Sequence, residues 1–206
     1  MISDKMLEML RERVSLVLSK RRYNHTLGVE KMARFLALHC LPEKIKEISA
    51  AALLHDITKE IDLELQYEIL KDNNDGILDL KCDIYPEIIH SFTAPYVVKR
   101  DFSDFATDEI LSAIAKHTVG DAYMSVFDRI IFLADFIEET RTYPESVITR
   151  EFVVNSMKTD CISENIRVLT CACVMEIDST ISHLEKIGKI VDKNTILAKN
   201  SLISKM

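Results

Sequence analysis

Ala50-Ala51-Ala52-Leu53-Leu54-His55-Asp56-Ile57-Thr58-Lys59 is an apolar run with no glycine or proline that closes on an imidazole and a carboxylate side by side. Such a run reads as a buried helical segment, and two ionisable groups at its end must be satisfied by a partner. A divalent metal ion satisfies both at once. The dipeptide alone is a weak signal, because six His and sixteen Asp in this chain give roughly 0.5 His-Asp pairs by chance. Its weight comes from the segments around it.

Four of these place an ionisable group where burial would be costly. His25 lies in Arg22-Tyr23-Asn24-His25-Thr26-Leu27-Gly28-Val29, at the predicted start of an amphipathic helix. Asp135 interrupts Arg129-Ile130-Ile131-Phe132-Leu133-Ala134-Asp135-Phe136-Ile137, where an unpaired carboxylate costs several kcal/mol of desolvation. Its alternatives to a metal are ion pairs with Arg129 or Arg141. His90 follows Pro86-Glu87-Ile88-Ile89, and His117 closes Ile114-Ala115-Lys116, so each again ends an apolar group.

The rest of the chain predicts an all-α, single-domain helical bundle spanning 1–206. Four Gly and four Pro in 206 residues leave few turns for a many-stranded sheet, while 48% hydrophobic and 29% charged residues suit amphipathic helices. No Pro/Gly/Ser-rich linker divides the chain. Asp4 is expected to cap a first helix with apolar positions Met6, Leu7, Leu10, Val14 and Leu18. A second is expected over about 24–40, a third opening at Pro42 and reaching His55, and a short one over 62–72 ended by Asn73-Asn74-Asp75-Gly76. Pro86 and Thr107-Asp108 open the helices of His90 and His117, and Ser125 with Asp128 forms a capping pair before the Asp135 helix. Two more are expected over about 146–158 and 160–187, the last closed by Gly188.

Charge and cysteine usage narrow the class. A net charge of −7 argues against non-specific binding to nucleic acid or anionic lipid, so an anionic substrate needs a local cationic pocket. Cys40, Cys82, Cys161, Cys171 and Cys173 form neither an even framework nor a Cys-x-x-Cys clip, which predicts reduced thiols in the cytoplasm. Neither a signal peptide nor an apolar stretch of about 18 residues is present. Homo-oligomerisation is left open by the sequence.

The order His, His-Asp, distant Asp resembles the HD-domain metal-dependent phosphohydrolases. Arg-Tyr-x-His-Thr-Leu-Gly-Val, Ala-Leu-Leu-His-Asp-Ile-Thr-Lys, Lys-His-Thr and Ala-Asp-Phe-Ile-Glu-x-x-Arg are similar, more narrowly, to the bacterial HD-type symmetrical bis(5'-nucleosyl)-tetraphosphatases. The likeness runs from about Arg22 to Arg141, with the C-terminal helices of about 146–187 outside it. The segment at His90 reads His-Ser where His-Gly is more usual, and no proline precedes Arg141.

The resemblance implies a metal held by His25, His55, Asp56 and Asp135. Imidazole and carboxylate donors without thiolate suit Fe, Mn, Co, Ni or Zn, and the resemblance favours iron. One ion is favoured, with a second, bridged by Asp56 and bound by His90 and His117, left open. Otherwise His90 and His117 contact phosphate. The implied reaction is symmetrical cleavage of diadenosine tetraphosphate to two ADP by a metal-activated water, with Asp56 orienting it or taking its proton and His90 and His117 offsetting charge on the phosphoryl oxygens.

Arg22, Lys59 and Arg141 each lie a few residues from a ligand and are candidate phosphate contacts; ordinary solvated charges are the competing reading. His183, three residues after Thr180, is a candidate for the base pocket or else a surface histidine, and His39 is read as structural. Three other functions stay open: another HD phosphohydrolase acting on a nucleoside monophosphate or guanosine alarmone, a di-iron oxygenase, and a nucleotide-sensing module without turnover.

Overall fold

In a computed structural model of the chain, residues 2–73, 86–158 and 160–206 are described, and among them ten α-helices and no strand are found. The helices are α1 (Asp4–Val17), α2 (Lys20–Cys40), α3 (Ile45–Leu54), α4 (Leu63–Asp72), α5 (Ile89–Asp101), α6 (Asp108–Lys116), α7 (Val126–Ile137), α8 (Pro144–Ser156), α9 (Ile162–Lys186) and α10 (Lys193–Ile203). Cys82 and the Asn74-Asp75-Gly76 turn signal lie outside the described residues.

Capping chemistry sets most boundaries, and it corrects several expectations. Ser3, not Asp4, caps α1, its hydroxyl accepting from the Met6 N–H. Ser19 caps α2 in the same way, so α2 begins at Lys20 and His25 sits in its second turn instead of at its start. Pro42 opens a 3-10 turn, Pro42–Lys44, before α3, and α3 stops at Leu54 with His55 as its C-cap residue. Thr107 caps α6, and Ser125 with Asp128 forms the expected reciprocal capping box of α7. α8 begins two residues before its expected start, at Pro144, and α9 spans Ile162–Lys186; beyond it Gly188, at φ +69°, takes the left-handed turn. The sequence reading had no α10. Its exposed faces and its single buried stripe of Thr195, Ala198 and Leu202 give little apolar periodicity.

α2, α3 and α7 form the centre, each packed against the other two, with α6, α9 and α1 around them. Leu36, Ile48, Leu53, Leu54, Ile114, Ile130 and Ile131 are wholly buried in one apolar cluster to which α1 to α3 and α5 to α10 contribute. Among the described residues no helix is long and apolar enough to cross a membrane. The consequence for function is placement: three rigid central elements carry His25, His55-Asp56 and Asp135 inward at one end of the core.

Candidate metal centre

Asp56 is the hub. It follows the last turn of α3, where the chain leaves the helix through a series of tight turns held by Ile57 N–H to Leu54 and Lys59 N–H to Asp56. These turns drive both His55 and Asp56 into the interior, at 0% and 2% exposure. Asp56 Oδ2 accepts from Arg22 Nη1 at 2.8 Å and lies 3.4 Å from His55 Nε2 and 3.8 Å from His25 Nε2. Its Oδ1 faces His90 Nε2 at 3.2 Å and His117 Nε2 at 3.7 Å. Burial opposes a charge on Asp56, yet His55, His117 and His90 around it hold its carboxyl well below the usual range.

α7 brings Asp135 to the other side of His25, with Oδ1 3.0 Å from His25 Nε2. The donor atoms of His25, His55 and Asp135 lie within 4.8 Å of one another, and so do those of His55, Asp56 and His117. Two donors bound at 2.0–2.2 Å to one ion stand roughly 3–4.3 Å apart, and the His25–Asp135, His55–Asp56 and His25–Asp56 separations of 3.0, 3.4 and 3.8 Å fall in that range. Chemistry agrees with dimension. His55 Nε2 is buried without a hydrogen-bond partner, a costly state that a cation removes.

The opposite ring nitrogens are committed elsewhere, which fixes the tautomers. His55 Nδ1–H donates to the Ala52 carbonyl at 2.6 Å and His117 Nδ1–H to Ile114 at 2.7 Å, leaving the His55 Nε2 lone pair free and that of His117 facing Thr118 and His90. His25 Nδ1–H donates to Glu138 Oε1 at 3.0 Å. Burial works against charging His25, but Asp135 and Glu138 overcome it and raise its pKa to about 9. The pocket therefore draws positive charge to the position an ion would take.

His90 differs. Lys59 Nζ donates to the Glu87 carbonyl at 3.0 Å and lies over the His90 ring, 3.1 Å from Nδ1 and 3.4 Å from Nε2, while His90 Nε2 faces His117 Nε2 at 3.1 Å and Asp56 Oδ1 at 3.2 Å. Burial, with His117 and Lys59 nearby, lowers the His90 pKa to about 4. Thr118 Oγ1 completes this cluster, 3.1 Å from His117 Nε2.

Arg141 resolves the pairing of Asp135. Its Nη2 donates to Asp135 Oδ1 at 2.7 Å and its Nε to the Asp135 carbonyl at 3.0 Å, whereas Arg129 is turned to Thr170 and Ser125. A cavity of about 620 Å³ opens beside the centre, lined by His117, Asp135, Arg141, Glu176, His183 and Lys186 among others. His183 thus lines a cavity that reaches the metal-site residues, and His39 bonds the Phe35 carbonyl away from them.

Sequence profiles and relatives place the chain. The profile of the HD domain matches residues 22–139, which contain His25, His55, Asp56, His90, His117 and Asp135. This chain belongs to the HD domain family. Among HD relatives, a Bacillus subtilis (strain 168) protein named bis(5'-nucleosyl)-tetraphosphatase, symmetrical, is 30% identical over 187 residues, covering 91% of this chain and 92% of its own. A Staphylococcus aureus (strain NCTC 8325 / PS 47) protein of the same name is 30% identical over 164 residues, 80% and 82% of the two chains. The crystal structure of a predicted HD superfamily hydrolase involved in NAD metabolism from Clostridium acetobutylicum superposes with a TM-score of 0.78 at 26% identity, over 97% of each chain.

In this HD fold two residues outside the sequence reading support the centre, Glu138 and Thr118. Glu138 left a legible signal, since it lies three residues after Asp135 on the same helix side and three separate Gly28 from His25. A Cβ on Gly28 would meet Glu138 Oε2, so the glycine makes room for the carboxylate that holds His25.

Proposed function

We propose that this chain is a metal-dependent hydrolase of dinucleoside polyphosphates, cleaving diadenosine tetraphosphate symmetrically to two ADP. The observation that carries the reading is the convergence of His25 Nε2 and the unpartnered His55 Nε2 with Asp56 and Asp135 beside a cavity lined by Arg141 and Lys186. The names of the Bacillus and Staphylococcus relatives supply the substrate.

In this reading His25, His55, Asp56 and Asp135 hold one divalent ion, and iron is the metal we favour among Fe, Mn, Co, Ni and Zn. When bound, such an ion polarises phosphoryl oxygen and lowers the pKa of an attacking water. Asp56, kept ionised by its surroundings, orients that water and takes its proton. His90 and Thr118 are placed to donate to the non-bridging oxygens, with Lys59 over the His90 ring adding positive charge there. His117, its Nδ1–H held by the Ile114 carbonyl, presents Nε2 beside them.

Arg141 and Arg22 contribute guanidinium groups at the two flanks of the centre, each already paired with a ligand carboxylate. Those pairs position the ligands as well as facing phosphate. A cytoplasmic location belongs to the same proposal, supported by four described cysteines that are all free.

Purification without chelator, metal analysis per chain and product chromatography over a nucleotide panel form the test. One equivalent of iron and ADP as the sole product from diadenosine tetraphosphate are expected. Faster turnover of a guanosine alarmone or a nucleoside monophosphate would overturn the substrate assignment.

A further inference from the structure

α10 lies beyond the residues that match the HD profile and carries none of the candidate ligands, yet one side of it meets the segment that delivers two side chains to the site. That segment, residues 117–125, starts at His117, the C-cap residue of α6, and ends at Ser125, the N-cap residue of α7. Its second residue is Thr118, whose Oγ1 lies 3.1 Å from His117 Nε2 and 3.4 Å from His90 Nε2.

The contacts with α10 run along a single stripe. Thr195, 5% exposed, donates its hydroxyl to the Val119 carbonyl at 2.9 Å, and Ser201 donates to the Ala122 carbonyl at 2.5 Å. Between them Ala198 is wholly buried, and a Cβ added to Gly120 would stand 3.0 Å from the Ala198 methyl. Positions 195, 198 and 201 follow one another at three-residue spacing, so one side of the helix faces the segment. Gly120, at φ +72°, supplies the conformation and the missing side chain that let backbone and helix approach this closely. A buried carbonyl that loses its donor is costly, so the two hydroxyls decide where this backbone sits.

We propose that Thr195 is a positioning residue for the phosphate-facing side chains, fixing Thr118 and His117 through the Val119 carbonyl, with Ala198 and Ser201 completing the clamp. The inference rests on the functional reading above, in which Thr118 and His117 face the substrate phosphates. Val119 is joined directly to Thr118, so a slip of the clamped carbonyl carries the Thr118 hydroxyl with it. Misplacing a positioned group by about 1 Å costs up to about 10²-fold in rate. His25, Asp135 and the His55-Asp56 pair are carried by α2, α7 and the turns after α3. The clamp therefore acts on the rate and not on metal retention.

Thr195→Val, Thr195→Ser and Ser201→Ala are compared with wild type as metal-loaded full chains. Valine keeps the branched shape without the hydroxyl, and serine returns the hydroxyl. Thr195→Val should lower kcat on diadenosine tetraphosphate about tenfold, with KM and metal per chain within about twofold. Thr195→Ser should stay within about twofold of wild-type kcat, and Ser201→Ala, which tests the same clamp if valine unfolds the chain, should lose about threefold. Amide hydrogen exchange needs no substrate, and residues 118–124 should exchange at least about fivefold faster in Thr195→Val while α7 is unchanged. Wild-type kcat per loaded chain in Thr195→Val, or equal losses in Thr195→Val and Thr195→Ser, overturns the positioning role, and unchanged exchange overturns the clamp itself. A metal-loaded wild type inert on diadenosine tetraphosphate overturns the functional reading and the catalytic role of the clamp with it, a result that the exchange measurement keeps separate from loss of the contact.

Discussion

Glu138 Oε1 lies 3.0 Å from His25 Nδ1, on the far side of the imidazole from the Nε2 that faces Asp135. Glu138 is itself wholly buried and held by the Thr140 N–H and hydroxyl, so the ring is clamped between two carboxylates. A carboxylate behind a ligating histidine fixes its tautomer and raises its basicity. Replacing Glu138 with Ala should weaken metal binding about 10–100-fold, read by competition with a chromophoric chelator.

Gly28→Ala places a methyl carbon 2.4 Å from Glu138 Oε2. We expect a loss of about 1–3 kcal/mol in chemical denaturation together with weaker metal binding. The Gly28→Ala, Glu138→Ala double variant should regain stability relative to the simple sum, because removing the carboxylate removes the clash. Strict additivity would disprove the contact.

His90 and Lys59 should separate from the ligands in their effects. His55→Gln should lose the metal, whereas His90→Gln should keep one equivalent and lower kcat by about 10²-fold, as removal of a transition-state donor does. Lys59→Met should follow His90→Gln, since it removes the cation packed on the His90 ring. Metal analysis beside turnover distinguishes the two classes. Loss of metal from His90→Gln would make it a ligand.

Stability should fall with rising pH in the metal-free protein and not in the loaded one. In the metal-free fold His25 is raised from 6.5 to about 9. A group raised on folding stabilises fully below pH 6.5 and loses that contribution as pH climbs through 9, so the chelated protein should show a falling Tm over this interval. His25→Gln should lack the fall. Metal binding must displace the same proton, so the Tm gained on adding metal should grow over the same range. Differential scanning at fixed metal activity measures both.

Asp56→Ala should abolish diadenosine tetraphosphate hydrolysis and reduce metal occupancy together, because one carboxylate faces the ligand nitrogens through Oδ2 and the phosphate-side histidines through Oδ1. Activity within about tenfold of wild type would remove Asp56 from the chemistry.

Residue type and local spacing determined the helices, the all-α class and which histidines and aspartates were too expensive to bury alone. Caps such as Ser125 with Asp128, and the apolar runs before His55 and Asp135, act within a few residues, where helical geometry is fixed by the chain itself. The start of α2 escaped because Ser19 precedes two polar turns with no apolar period, and α10 because it buries only a narrow stripe. Tertiary structure alone decided that Arg141, not Arg129, meets Asp135, that Glu138 backs His25 across 113 residues, and that Glu176 stands by itself in the cavity. Those outcomes depend on how α2, α7 and α9 cross. A side chain's partner across a core is set by the packing of whole helices, which no local periodicity encodes.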